Sequence, residues 1–150
     1  MALIVGNLLT DPAATSFIST SDALAYLMAE GNASWIAEDE PRQEATLIAA
    51  SRWMAVSLPW CRDELTAAEL TRVGYVAARL AVQALTVDLW AAPEVGKDAK
   101  RYKAGSVEVE YHSPTAARGA QAGGKRFPWA YPMLMGLLCG TGGQHDVVRR

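Results

Sequence analysis

The sequence predicts a mainly α protein: a small helical bundle around one long central helix, with a β-hairpin and extended N- and C-terminal arms. Three observations predict it. Between residues 65 and 90, Leu70, Val73, Ala77, Leu80, Ala84 and Val87 recur at spacings of three and four, which sets them along one side of a helix. Residues 106–111 alternate strictly, with Val107, Val109 and Tyr111 on one face and Glu108 and Glu110 on the other. The flanks are rich in Pro, Gly and small polar residues, which punctuate chains rather than continue helices.

In chain order, residues 1–18 form an N-terminal arm. Leu3, Val5, Leu8 and Leu9 supply apolar contacts, and Asn7, Thr10, Asp11 and Pro12 break any long strand. A helical bundle follows over residues 19–96. Ser19 is placed to cap the first helix, and Asp22 lies near its positive end. Leu24, Leu27 and Met28 give its apolar face, with Tyr26 beside it, and Gly31-Asn32 ends it. A short helical turn over residues 34–37 buries Trp35. Asp39-Glu40-Pro41 starts the next long helix, because proline is tolerated in a first turn. Leu47, Ser51, Met54 and Leu58 follow its spacing, Pro59 stops it, and Trp53 and Trp60 close the layer against the central helix. Thr66 and Glu69 have capping-box spacing and Pro93 is a stop, so the central helix runs from about Ala67 to about Ala91, roughly 37 Å at ~1.5 Å per residue.

After Pro93 the character changes. Residues 97–112 read as the β-hairpin, turning at Ala104-Gly105. Pairing Lys103 with Ser106 would set Tyr102 against Val107 and Arg101 against Glu108. Such a hairpin is marginal alone and needs the helices or another subunit. Residues 113–150 comprise a glycine-rich basic loop, the aromatic stretch Phe127-Pro-Trp-Ala-Tyr-Pro132, an apolar segment to Cys139 and a polar tail ending in Arg149-Arg150.

The net charge of −2 conceals an asymmetry. Residues 1–96 carry five Arg against twelve Asp or Glu, net −7; residues 97–150 carry nine Lys or Arg against four acids, net +5. Opposite charge in two parts of one chain suits self-association, and a basic tail also suits nucleic acid. No apolar run reaches the ~20 residues that span a bilayer, so no membrane partner is expected. MALIVGNLL lacks the basic start of a signal peptide. Cys61 and Cys139, the only cysteines, form no metal pattern and are expected as reduced thiols.

Motifs for chemistry are weak. Gly119 to Lys125 fits G-x-x-x-x-G-K, but Arg126 stands where a phosphate loop needs Ser or Thr, and Phe127-Pro128 is a poor helix start. His112 and His145 have no third ligand at useful spacing, and no G-x-S-x-G turn occurs. Neither catalytic residues, metal nor cofactor is expected.

The order of features resembles a family. It runs from MALIV through Ser16-Phe-Ile-Ser-Thr-Ser-Asp-Ala-Leu-Ala-Tyr26, Gly31-Asn-Ala-Ser-Trp35 and Glu44-Ala-Thr-Leu-Ile-Ala-Ala50 to the Ala-rich helix. It then takes in Gly105-Ser-Val-Glu-Val-Glu-Tyr111 and the aromatic-proline stretch. This order is similar to the head–tail connector (adaptor) proteins of long-tailed bacteriophages, some of which are labelled DnaT-like single-stranded DNA-binding proteins. Around Val56–Arg62 the chain departs from members that carry a longer, more basic and aromatic stretch. The resemblance implies a structural virion protein in the neck between capsid and tail, made in the host cytoplasm. It implies a ring, commonly of twelve copies, docked under the portal protein and meeting a further neck or tail protein such as a stopper. The genome DNA would pass through its channel without sequence-specific binding.

On that reading Val107, Val109 and Tyr111 pack the hairpin. Phe127, Trp129, Tyr131, Met133, Leu134, Leu137 and Leu138, with Arg149 and Arg150 in the tail, form an intersubunit or portal-facing anchor. Truncation after Gly124 would then abolish docking and spare the helical body. The alternative is single-stranded DNA binding, with Lys97, Lys100, Arg101, Lys103, Lys125 and Arg126 supplying charge and Tyr102, Phe127 and Trp129 stacking on bases.

Overall fold

A computed structural model describes residues 2–91, 102–104, 107–109 and 126–140. The protein is mainly helical: α1 (Thr20–Ala29), α2 (Ala33–Ile36), α3 (Glu40–Ser57), α4 (Ala67–Ala84) and a last single turn, α5 (Ala130–Met133). Two three-residue strands, β1 (Tyr102–Ala104) and β2 (Val107–Val109), lie between α4 and α5 in sequence. The chain divides into two units, Met1–Trp90 with Trp129–Arg150, and Ala91–Pro128.

Local chemistry sets the helix starts. Ser19 Oγ accepts from Asp22 N at 3.1 Å, and the Asp39 side chain accepts from Arg42 N at 3.3 Å. At α4 the capping box is complete: Thr66 N donates to Glu69 Oε2 at 2.8 Å, and Glu69 N donates to Thr66 Oγ1 at 3.3 Å. Leu58, extended before Pro59, ends α3. Gly31, at φ 72°, takes the left-handed turn after α1.

Helix α4 is shorter than its apolar pattern predicts. It closes at a Leu85 cap, and Gln83 O accepts from Thr86 N and Val87 N, so the chain turns before Pro93 is reached. It therefore spans 18 residues, the same as α3. Val87 leaves the stripe and is exposed, while Leu89 turns back inside.

The core lies where α3 meets α4. Leu47, Ala50, Trp53 and Met54 face Val73, Val76, Ala77, Leu80 and Ala81, all buried. Helix α4 also packs against α1, α2 and α5. Residues 17 and 18 cross α4 at Gly74, where an added Cβ would stand 3.2 Å from Phe17 O and 3.1 Å from Ile18 Cβ. Two buried polar clusters are internally satisfied. Trp35 Nε1 donates to Thr46 Oγ1 at 2.9 Å, Thr46 Oγ1 donates to Gln43 O at 2.9 Å, and Gln43 Nε2 returns to Trp35 O at 3.2 Å. Ser51 Oγ accepts from Phe17 N at 3.1 Å and lies 3.3 Å from Ser16 Oγ, fixing the segment before α1 on α3.

The N-terminal segment is not an extended arm. Ile4 O accepts from Thr15 N and Ser16 N, and Gly6 N donates to Ser16 O, so residues 4–16 close on themselves. Asn7 and Asp11 drive the fold-back by accepting from Leu9 N and Ala13 N. Asn7 Nδ2 ties the loop to Asp63 O at 2.8 Å.

In the second unit, β1 and β2 pair antiparallel, with Tyr102 opposite Val109, Lys103 opposite Glu108 and Ala104 opposite Val107. The expected register set Lys103 against Ser106. In the observed one Glu108 lies opposite Lys103, where the expected register set it opposite Arg101. Arg101, Tyr111, His112 and the loop 113–125 fall outside the described residues.

Candidate interaction surfaces

The C-terminal segment shows how its residues come to be placed. Pro128 and Pro132 limit helix to the single turn of α5, and Gly136 at φ 84° and Gly140 at φ 68° reverse the chain around the apolar residues. Leu134, Leu137 and Leu138 are buried. Trp60 and Leu138 form an antiparallel bridge flanked by Cys61 N to Leu137 O at 3.0 Å and Cys139 N to Pro59 O at 2.7 Å. Cys61 and Cys139 are joined as a disulfide across this bridge, with Cα atoms 4.8 Å apart. The expectation of two separate reduced thiols is thereby corrected; a pair 78 residues apart in sequence leaves no local signal.

Arg79 is the second clasp. Its guanidinium sits 5.5 Å from the Trp129 ring centre, pairs with Glu30 at 2.8 Å and approaches Met133 Sδ at 3.5 Å. Arg72 donates to Met135 O at 3.2 Å. Two residues that lie off the apolar stripe of α4 thus hold the segment.

These positions revise the predicted anchor. Leu134, Leu137 and Leu138 belong to the chain's own core, because the segment lies against the α3–α4 corner and α4; they are not free to anchor a partner. Phe127 is buried as well. Trp129, Tyr131 and Met133 are part-buried, and Met135 is the segment's exposed apolar residue. Val107 and Val109 lie in β2, each with a backbone partner in β1. Tyr111, Arg149 and Arg150 lie outside the described residues.

The exposed large apolar side chains are elsewhere: Val56 at 74%, Met135 at 70%, Met28 at 62% and Trp90 at 55%, with Ile4 and Val5 about half exposed. Beside Val5, an open groove of about 630 Å³ runs between α1 and α4, lined by Phe17, Ile18, Ala25, Leu70 and Gly74. Tyr26 and Tyr75 stack along it with ring centres 4.3 Å apart. Burial holds the Tyr26 hydroxyl above its ordinary 10.0, Arg79 opposing and Glu30 reinforcing. The sequence offered Tyr26 as a helix-side residue, but nothing in its spacing paired it with Tyr75.

Electrostatically the helical unit is acidic: residues 2–91 hold five Arg and eleven Asp or Glu, net −6. Its cations are engaged. Arg42 pairs with Glu38, Arg62 with Glu69 and Arg79 with Glu30, while Arg72 serves a carbonyl. Among the described residues no cluster of His, Cys, Asp or Glu suits a metal, and no helix is long and apolar enough to cross a membrane. Of the residues expected at single-stranded DNA, Lys97, Lys100, Arg101 and Lys125 are outside the described set, and Arg126 stands over Phe127 at 5.7 Å.

The surfaces define a mainly helical chain with dispersed apolar contacts and an acidic body. Residues 1–71 match a family model described as "Putative DnaT-like ssDNA binding protein". The match covers the N-terminal loop, α1 to α3 and the start of α4. No curated protein and no solved structure matches the chain.

Proposed function

We propose that this chain is a structural, non-enzymatic virion protein: a head-to-tail adaptor that assembles as a ring of about twelve copies under a portal, extends the DNA channel and links capsid to tail. The observation that carries this reading is an acidic helical unit with its arginines internally engaged and large apolar side chains exposed on several sides. Head-to-tail ring contacts need two different faces on each subunit. Met28, Val56, Trp90 and Met135 lie on α1, on α3, after α4 and after α5, which supplies apolar contacts on more than one element. The net +5 of residues 97–150 complements the acidic unit of a neighbour. A predominantly acidic wall also suits passage of a polyanion, because it adds no salt-dependent grip.

Light scattering of the purified protein, alone and with its portal, tests the reading. A ring or a stoichiometric portal complex is expected; a monomer that ignores the portal would end it.

Single-stranded DNA binding is the second reading, favoured by the description of the family model over residues 1–71. It requires the basic residues after Lys97, since the helical unit repels phosphate. A labelled oligonucleotide titrated at low salt should bind, and lose affinity steeply with added salt, if this reading holds.

A further inference from the structure

We propose that Cys61 and Cys139 form a thiol–disulfide exchange site that clasps and unclasps residues 129–140 from the α3–α4 corner. Both cysteines are exposed, so small thiols and disulfides reach them. Their approach does not depend on the sulfur bond alone. The Trp60–Leu138 bridge and its two hydrogen bonds flank the disulfide and set Cys61 and Cys139 side by side. Other holds on this segment, such as a guanidinium over Trp129, a hydrogen bond from Arg72, the bridge hydrogen bonds and the burial of three leucines, are non-covalent. The disulfide is the covalent hold that a change of redox conditions removes.

Closing the clasp is an exchange with a small-molecule disulfide such as oxidised glutathione. One cysteine thiolate attacks a sulfur of the reagent and releases a thiolate, forming a mixed disulfide. The second cysteine displaces the bound half as another thiolate and forms the Cys61–Cys139 bond. Two protein thiols are oxidised, one reagent disulfide is reduced to two thiols, and the protons balance through solvent. Opening runs the same steps in reverse with reduced glutathione or dithiothreitol. This proposal is independent of the connector reading.

The test is hydrogen exchange on the full chain, oxidised and then reduced, with free thiols counted in each state. Reduction is expected to expose two thiols and to raise exchange of the peptide covering 130–139 on the order of tenfold, while the central α3 and α4 peptides hold. Reoxidation should restore protection. The double variant Cys61→Ser, Cys139→Ser should match the reduced protein and ignore both reagents. Thiols that stay free in excess oxidised glutathione, exchange unchanged by redox state, or loss of protection throughout α3 and α4 on reduction would overturn the proposal. Reversible reduction of the natural chain keeps the test decisive even if the double variant fails to fold.

Discussion

At the scale of single residues, the interior depends on a few polar contacts whose loss is measurable. Thr46 both accepts from Trp35 Nε1 and donates to Gln43 O. Thr46→Val keeps the shape and strands both partners, so denaturant melts should show a loss of about 1–3 kcal/mol. Gly74→Val drives atoms into Phe17 O and Ile18; the same melts should show a loss of about 2 kcal/mol, against any gain from replacing a mid-helix glycine. Glu69 carries a pH signature. The hydrogen bond from Thr66 N holds its carboxyl below the ordinary 4.5, Arg62 adds to this, and partial desolvation opposes it. A folded value below the unfolded one means that the contribution is complete above about pH 4.5 and lost as pH falls through the lowered value. Melting temperatures of the parent and Glu69→Gln, compared across that window, should therefore converge toward acid.

At the scale of elements, the starts of α1, α3 and α4 were legible because capping uses neighbours in sequence: Ser19, Asp39 and the Thr66–Glu69 pair. The end of α4 was not, because Val87 continues the apolar period while the Gln83 carbonyl takes the chain into a turn. Residues 4–16 were read as an arm because the fold-back rests on backbone bonds between positions about ten apart, which no periodicity records. The C-terminal segment was recognised as anchored, but its anchor is its own helical unit. Its leucines and its contacts to Arg72 and Arg79 span more than fifty residues of chain. Truncation after Gly124 should therefore weaken the helical body as well as any docking, seen as a lower melting temperature. Leu137→Ala alone should cost about 2–5 kcal/mol in denaturant melts.

At the scale of the whole molecule, the charge split is readable from the sequence, whereas the exposed apolar positions require the fold. Met28, counted on the buried face of α1, is among the most exposed side chains, and Met135 emerges between buried leucines. If these positions are subunit contacts, Met28→Glu and Met135→Glu together should shift the light-scattering mass toward the monomer and leave the melting temperature nearly unchanged, as surface substitutions do.

The helical unit takes in residues up to 90 and then residues from 129 onward, with a second unit between them. During synthesis, α1 to α4 thus leave the ribosome before the leucines that cover their corner have been made. At about 5–20 residues per second, several seconds separate the two events. Throughout that interval the nascent chain presents an uncovered apolar corner at Leu58 and Trp60, the surface that holdase chaperones bind. A ribosome stalled near residue 125 should crosslink to such a chaperone there, and the released 150-residue chain should not.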